Sequence, residues 1–187
     1  MILVNSDDWL ESDHIALAVR ALLQSGADFA FGNMIVHAPE GQIAHCLMGD
    51  EKYARTIRYK MPALNHPTIV CRRRLYEQFG LFDLRLRSAM DYEWLLRVHR
   101  AGAVGVYVSS TTSHMSLQGE SDRNYLRATA EVREISILHG LPSLYAWLLY
   151  CLFVGKSMSQ RMLGKILHRR LHEKLRRIVN AQYRFPS

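Results

Sequence analysis

The residues most able to do chemistry begin almost at the amino end, where Asn5-Ser6-Asp7-Asp8 follows the apolar triplet Ile2-Leu3-Val4. Ligands in open α/β sheets collect at the carboxyl ends of strands. Hard carboxylate oxygens there suit Mg²⁺ or Mn²⁺ bridging a substrate's phosphates, or a ribose hydroxyl. Strand alternation directs Asn5 and Asp7 to one side and Asp8 to the other. The simpler alternative is that Asp7 or Asp8 caps the following helix. A second cluster, Ser88-Ala89-Met90-Asp91-Tyr92-Glu93-Trp94, sets Asp91 at a helix start, where free N–H groups and the helix dipole hold a carboxylate ionised. That state suits a general base that deprotonates a hydroxyl, although N-capping is the commoner task of an aspartate so placed. Glu93 reads as a surface charge and Trp94 as a packing residue. His66, beside Asn65 and held extended by Pro67, either reaches a substrate or bonds to backbone. His114, in the polar run 109–122, is a candidate third metal ligand or phosphate contact, with an exposed loop histidine as the plainer reading.

The elements that must position these residues alternate between strand-like and helix-like periods, as an α/β sheet covered by helices requires. Ile2-Leu3-Val4 reads as the end of a buried strand. Ile15, Val19, Leu22 and Leu23 mark a helix over 13–25 that Gly26 stops. Strands follow at 29–31, 34–36 and 43–47, the last pair joined by a turn at Pro39-Glu40-Gly41. Residues 50–59 are ambiguous. A strand is expected at 67–71, helices at 73–79 and 91–101, a β-branched strand at 104–108, a polar loop at 109–122 and a helix at 123–138.

Charge divides the chain more sharply than hydropathy does. The 187 residues carry a net charge of +7, but residues 156–187 hold nine Lys/Arg against the single acid Glu173, a net of +8. The remaining 155 residues are therefore near-neutral at −1, so the basic character belongs to a tail. Nucleic-acid binding is disfavoured, because the body has no basic groove and the tail few interleaved aromatics. Residues 135–155 contain no Asp, Glu, Lys or Arg. The Gly140-Leu141-Pro142 break leaves only Leu144 to Val154 uninterrupted, too short for the ~20 apolar residues of a membrane span. An apolar helix followed by a basic amphipathic one suits a peripheral, interfacial membrane contact. Cys46, Cys71 and Cys151 stand far apart, supporting neither a disulfide framework nor a cysteine zinc site, and a reducing compartment is expected.

Three stretches, ILVNSDDWLESDHIAL, NHPTIVCRRRLYEQFGLFDLRLRSAMDYEWLLRVHRAG and VYVSSTTSHMSLQGES, together resemble the distal half of an inverting family 2 glycosyltransferase of the GT-A type. The middle stretch is the most specific. The resemblance implies a partial GT-A, Rossmann-like mixed sheet flanked by helices over residues 1–138, with a helical basic and apolar tail over 139–187. It implies that Asp7 matches the last acid of the D-x-D motif that binds Mg²⁺ or Mn²⁺, with Asp8 its acidic neighbour and a second metal contact. Asn5 stands where the motif's first acid is often found, and Met90 replaces the glutamate that frequently precedes the base. Asp91 matches that catalytic base. His114 is placed as a further metal ligand. Asn5, Ser6, Asp8, His66, Gln118 and Ser121 are placed in substrate binding, the last two in a segment that often closes over the donor phosphates.

The function implied is metal-dependent transfer of a sugar, with inversion, from a nucleotide-diphosphate sugar to a hydroxyl of a glycan or lipid-linked glycan, as in polysaccharide biosynthesis for a cell envelope. The location implied is the cytoplasmic face of the inner membrane, with peripheral attachment through the tail. In that family a βαβ portion holding the nucleotide base precedes the metal motif. Met1 stands only six residues before Asp7, so the chain is expected to be a fragment or to rely on another polypeptide for that half. The alternative is a non-catalytic remnant that binds a membrane or a partner.

Overall fold

The computed structural model describes residues 1–38, 40–116 and 125–166, with side chains through Ser159. The strands are β1 (Trp9–Leu10), β2 (Phe29–His37), β3 (Ile43–Leu47), β4 (Val70–Cys71) and β5 (Gly105–Ser116). The helices are α1 (His14–Ser25), α2 (Tyr53–Thr56), α3 (Arg74–Phe79), α4 (Met90–Arg100), α5 (Tyr125–Leu138) and α6 (Ser143–Ile166), with a 3₁₀ turn at His66–Thr68. They form an α/β fold with a mixed, partly parallel sheet flanked by helices.

Strand β2 is the axis of that sheet. Its residues are almost continuously buried, as expected of a strand covered on both faces. One edge pairs with β5 in parallel; the other pairs antiparallel first with β4, at Phe29 and Ala30, and then with β3, from Met34 to His37. Short β1 adds antiparallel to the far end of β5, Trp9 opposite His114 and Leu10 opposite Ser113. The parallel ladder is interrupted. Phe31 faces Tyr107, but Asn33 already faces Thr112, so β5 loops out between the two halves of its pairing. Gly32 occupies the gap because a Cβ there would lie 1.9 Å from Thr111 Oγ1 and 2.5 Å from the Thr111 carbonyl oxygen.

Side chains satisfy the backbone groups exposed by this break. Thr68 Oγ1 accepts from the Gly32 N–H (2.9 Å) and donates to the Asn65 carbonyl (2.7 Å), while Asn65 Nδ2 donates to the Gly32 and Leu47 carbonyls (3.1 and 3.2 Å). Asn33 donates to the Ser109 carbonyl and accepts from the Tyr107 hydroxyl, both at 2.7 Å. Fully buried His14 stands 3.1 Å from the Thr112 carbonyl and 3.0 Å from that of Thr68, tying α1 to β5 and the 3₁₀ turn. Buried polar groups left unpaired would each cost about 1–3 kcal/mol, so these bonds permit the interruption.

The principal core lies on one side of the sheet around α4. Tyr92, Trp94, Leu95, Leu96 and Val98 are all buried, making α4 a central helix. Trp94 stacks on Tyr76 (centroids 4.4 Å apart) and donates to the Gly80 carbonyl (3.0 Å). Acidic residues in the first turn of α4 and Arg97, His99 and Arg100 in the last complement its dipole.

Four local expectations change. Ile2-Leu3-Val4 forms only a bridge, Ile2 to Val70, with Val4 exposed, rather than a buried strand end. The polar segment Ser109–Ser116 belongs to β5, because Thr112 to Ser116 pair with Asn33 to His37 of β2, and Ser113 and His114 also pair with β1. His66 opens a 3₁₀ turn, closed by N–H donation from Thr68 to the Asn65 carbonyl (2.8 Å) and from Ile69 to that of His66 (3.0 Å), rather than an extended segment. Glu93 is buried and paired with Arg97 at 2.9 Å, because an i, i+4 partner offsets the cost of enclosing its charge.

Replacing Gly32 by alanine is expected to lower unfolding stability by about 2 kcal/mol or more, read from urea denaturation. Thr111→Ala added to it recovers only part of the loss, since the Thr111 carbonyl still obstructs the new methyl group.

Candidate functional site

The Asp7–Asp8 turn is held at both ends. Asn5 Nδ2 donates to Asp8 Oδ2 (2.9 Å), the Asp8 N–H donates to the Asn5 carbonyl (3.2 Å), and Ser116 Oγ donates to the Asp7 carbonyl (3.3 Å). Beyond it, β1 and buried His14 anchor the chain to β5. Asp7 and Ser6 are exposed at the corner. Asp8 is half-buried, and its Oδ1 is enclosed without a hydrogen-bond partner. Burial pushes the Asp8 carboxyl above the ordinary carboxylate value; Asn5 opposes this, Asp7 adds repulsion, and His66 and the Ser116 backbone pull it down.

Asp91 is the second residue of α4, where its Oδ1 accepts from the Tyr92 N–H at 2.8 Å. The sequence led us to expect a carboxylate held ionised by the helix terminus. The balance runs the other way: desolvation raises Asp91, and His66 and the local N–H groups lower it only in part. An attraction to His66 is common to Asp8 and Asp91, although no hydrogen bond or ion pair joins the histidine to either. The His66 ring packs edge-on against Phe82 (5.6 Å between centroids). The Arg97 guanidinium in turn holds the segment before Phe82, donating to the Phe79 carbonyl and to that of Leu81 (2.8 Å).

His114 lies elsewhere in the network. Its Nε2 is 2.8 Å from Glu11 Oε1, its Nδ1 is 2.9 Å from His37 Nε2, and its ring stacks on Trp9 at 4.9 Å. Neither nitrogen is hydrogen-bonded to Asp7 or Asp8. Gln118 and Ser121 lie outside the described residues. Among the described residues no three His, Cys, Asp or Glu side chains form a ready metal cage.

Glu131 of α5 was not anticipated. Its carboxylate accepts from the N–H groups of Arg87 (3.1 and 3.2 Å), Ser88 (2.8 Å) and Ala89 (2.9 Å). Ala89, the N-cap of α4, has no side chain able to cap the helix, so a glutamate from a distant helix takes over the role and sets where Asp91 begins. No local spacing could reveal this, since donor and acceptor lie more than forty residues apart. No family model matches the chain, and no curated protein matches it.

Glu131→Ala should cost at least about 2 kcal/mol in thermal or urea unfolding, because three N–H donors lose a charged acceptor; Glu131→Gln should retain much of that stability. Asp91→Asn carries the opposite sign. A carboxyl raised above its unfolded value destabilises the fold as pH climbs from the unfolded toward the folded pKa, and that penalty persists above it. The amide should therefore melt higher than wild type near pH 7, with the difference closing as pH falls below about 4.

Proposed function

We propose that the chain is the distal, catalysis-bearing part of an inverting glycosyltransferase, transferring a sugar from a nucleotide-diphosphate sugar to a hydroxyl of a glycan or lipid-linked glycan. The observation carrying this reading is the shared electrostatic reach of His66 to Asp8 and Asp91, which come from opposite ends of the sequence pattern. Donor-side and acceptor-side carboxylates must meet in this way if one cleft is to hold both substrates.

The donor side fits a loosely held divalent cation. Mg²⁺ and Mn²⁺ sites at nucleotides use one or two protein carboxylates and leave other positions to phosphate and water, and here Asp7 is exposed while Asp8 Oδ1 has no partner. Asp7 and Asp8 would hold the ion, whose charge would offset that developing on the departing diphosphate. Asn5 keeps Asp8 Oδ2 occupied and leaves the enclosed Oδ1 as the oxygen without a partner.

On the acceptor side, Asp91 Oδ1 is engaged by the Tyr92 N–H, leaving Oδ2 to take the hydroxyl proton. The hydroxyl oxygen then bonds to the anomeric carbon as the bond from that carbon to the diphosphate oxygen breaks, the electron pair leaving with the diphosphate. Attack opposite the leaving group inverts the centre. The raised affinity of Asp91 for a proton strengthens it as a base, and nearby His66 keeps the ionised form accessible.

Asp91→Asn in the full-length enzyme is expected to lower transfer by about 10³-fold or more while leaving Mn²⁺-dependent donor binding within about twofold. Asp7→Ala with Asp8→Ala should instead abolish metal-dependent donor binding, measured by calorimetry. Transfer by Asp91→Asn at the wild-type rate would overturn the assignment. Metal-independent donor binding would remove the role given to Asp7 and Asp8.

A further inference from the structure

Helix α6 has two apolar faces, and the fold uses only one. Ala146, Leu149, Tyr150 and Phe153 turn inward toward Val132 and Ser136 of α5. The Arg133 guanidinium lies 4.0 Å from the centroid of the Trp147 ring and 4.9 Å from that of Tyr150, closing one margin of this contact. On the opposite side Leu144, Leu148 and Leu152 recur at helical spacing with relative exposures of 75%, 54% and 67%, and Met158 extends the row at 57%. Cys151 and Gly155, also exposed, lie on the same arc, so no charge interrupts it from residue 144 to 155.

Cations bracket this stripe. At its amino end, the exposed Arg58 and Arg100 line, with His139, a cavity of about 220 Å³ beside Gly140-Leu141-Pro142, which lead directly into α6; the two arginines are the cations there. At the other end Lys156 is exposed, and the sequence from it onward carries a net charge of +8. The geometry points to a membrane surface bearing anionic lipids as the occupant: α6 lies in the interfacial plane, its outer leucines enter the acyl boundary, and the flanking cations meet headgroup phosphates. The helix does not cross, since no helix among the described residues is long and apolar enough.

Charge argues against other occupants. A second copy placed stripe to stripe with its helix parallel would bring two +8 segments together, an antiparallel copy would leave both basic segments without a counter-charge, and nucleic acid would satisfy the cations while leaving the leucines in water. A lipid interface answers both needs. This inference does not depend on the transferase reading.

Flotation of the full chain with vesicles of phosphatidylcholine alone, or containing about 30% phosphatidylglycerol, tests it. Binding is expected to the anionic vesicles, weakening at least about tenfold between about 0.1 and 0.5 M salt. Leu148→Glu with Leu152→Glu should weaken it by a similar or larger factor while leaving the melting temperature unchanged, since both side chains are exposed. Failure of the wild-type chain to float with anionic vesicles would overturn the proposal, as would equal flotation of the double variant. Equal binding to the two vesicle types would overturn the part given to headgroup charge. A wild-type dimer in light scattering that the double variant disperses, without vesicle binding, would assign the stripe to a second copy instead.

Discussion

The interrupted pairing between β2 and β5 is the constraint from which the site follows. An uninterrupted parallel ladder would carry β5 straight past β2; the excursion opposite Gly32 re-aims its second half, and that half pairs with β1 and meets the Asp7–Asp8 turn. Such a break costs backbone hydrogen bonds deep in the fold. Asn33, Asn65, Thr68 and His14 replace them with side-chain bonds, and these residues are also the ones that fix the turn containing His66. A single buried network thus positions both the Asp7–Asp8 turn and the 3₁₀ turn that begins at His66.

The surroundings of Asp91 are governed by a different trade. Glu131 caps α4 from another element, and Arg97 spends its donors on Glu93 and on the segment leading to Phe82. These carboxylates are buried with full sets of partners. Asp91 lies beside them with fewer, and its proton affinity rises accordingly. The contrast follows from wiring alone: a carboxylate surrounded by N–H and guanidinium donors is a structural anchor, while one desolvated with fewer donors is harder to ionise.

The two ends of the chain obey separate rules. The near-neutral body resolves its charges internally, through pairs such as Arg97–Glu93 and the contact of Glu131 with the start of α4. The helix beyond Pro142 does not. It exposes leucines on one face and hands over to a densely basic sequence, so its apolar and cationic surfaces are left without partners in the fold of the described residues.

Periodicity made α4 legible, since Leu95, Val98 and Tyr92 recur toward its core; for α1 it gave the extent, and Gly26 ends it in the left-handed conformation, but of the expected face Ile15, Val19, Leu22 and Leu23 only Leu22 is buried, beside His14 and Ala18. Residue type and spacing likewise single out Asp7, Asp8, His66 and Asp91 as chemically able side chains. What sequence could not convey was partnership across distance. Ser109–Ser116 looked like a loop because its strand pairing is with distant segments, β2 and β1; Glu93 looked exposed because burial of a charge depends on Arg97 being at hand; Glu131 had no local signature at all. The sequence by itself determined which side chains could do chemistry and which helices form, because those follow from periods and local propensity. Only the tertiary structure decided which acids would be anchors and which would face His66, because desolvation and hydrogen bonding are properties of what surrounds a residue, not of the residue.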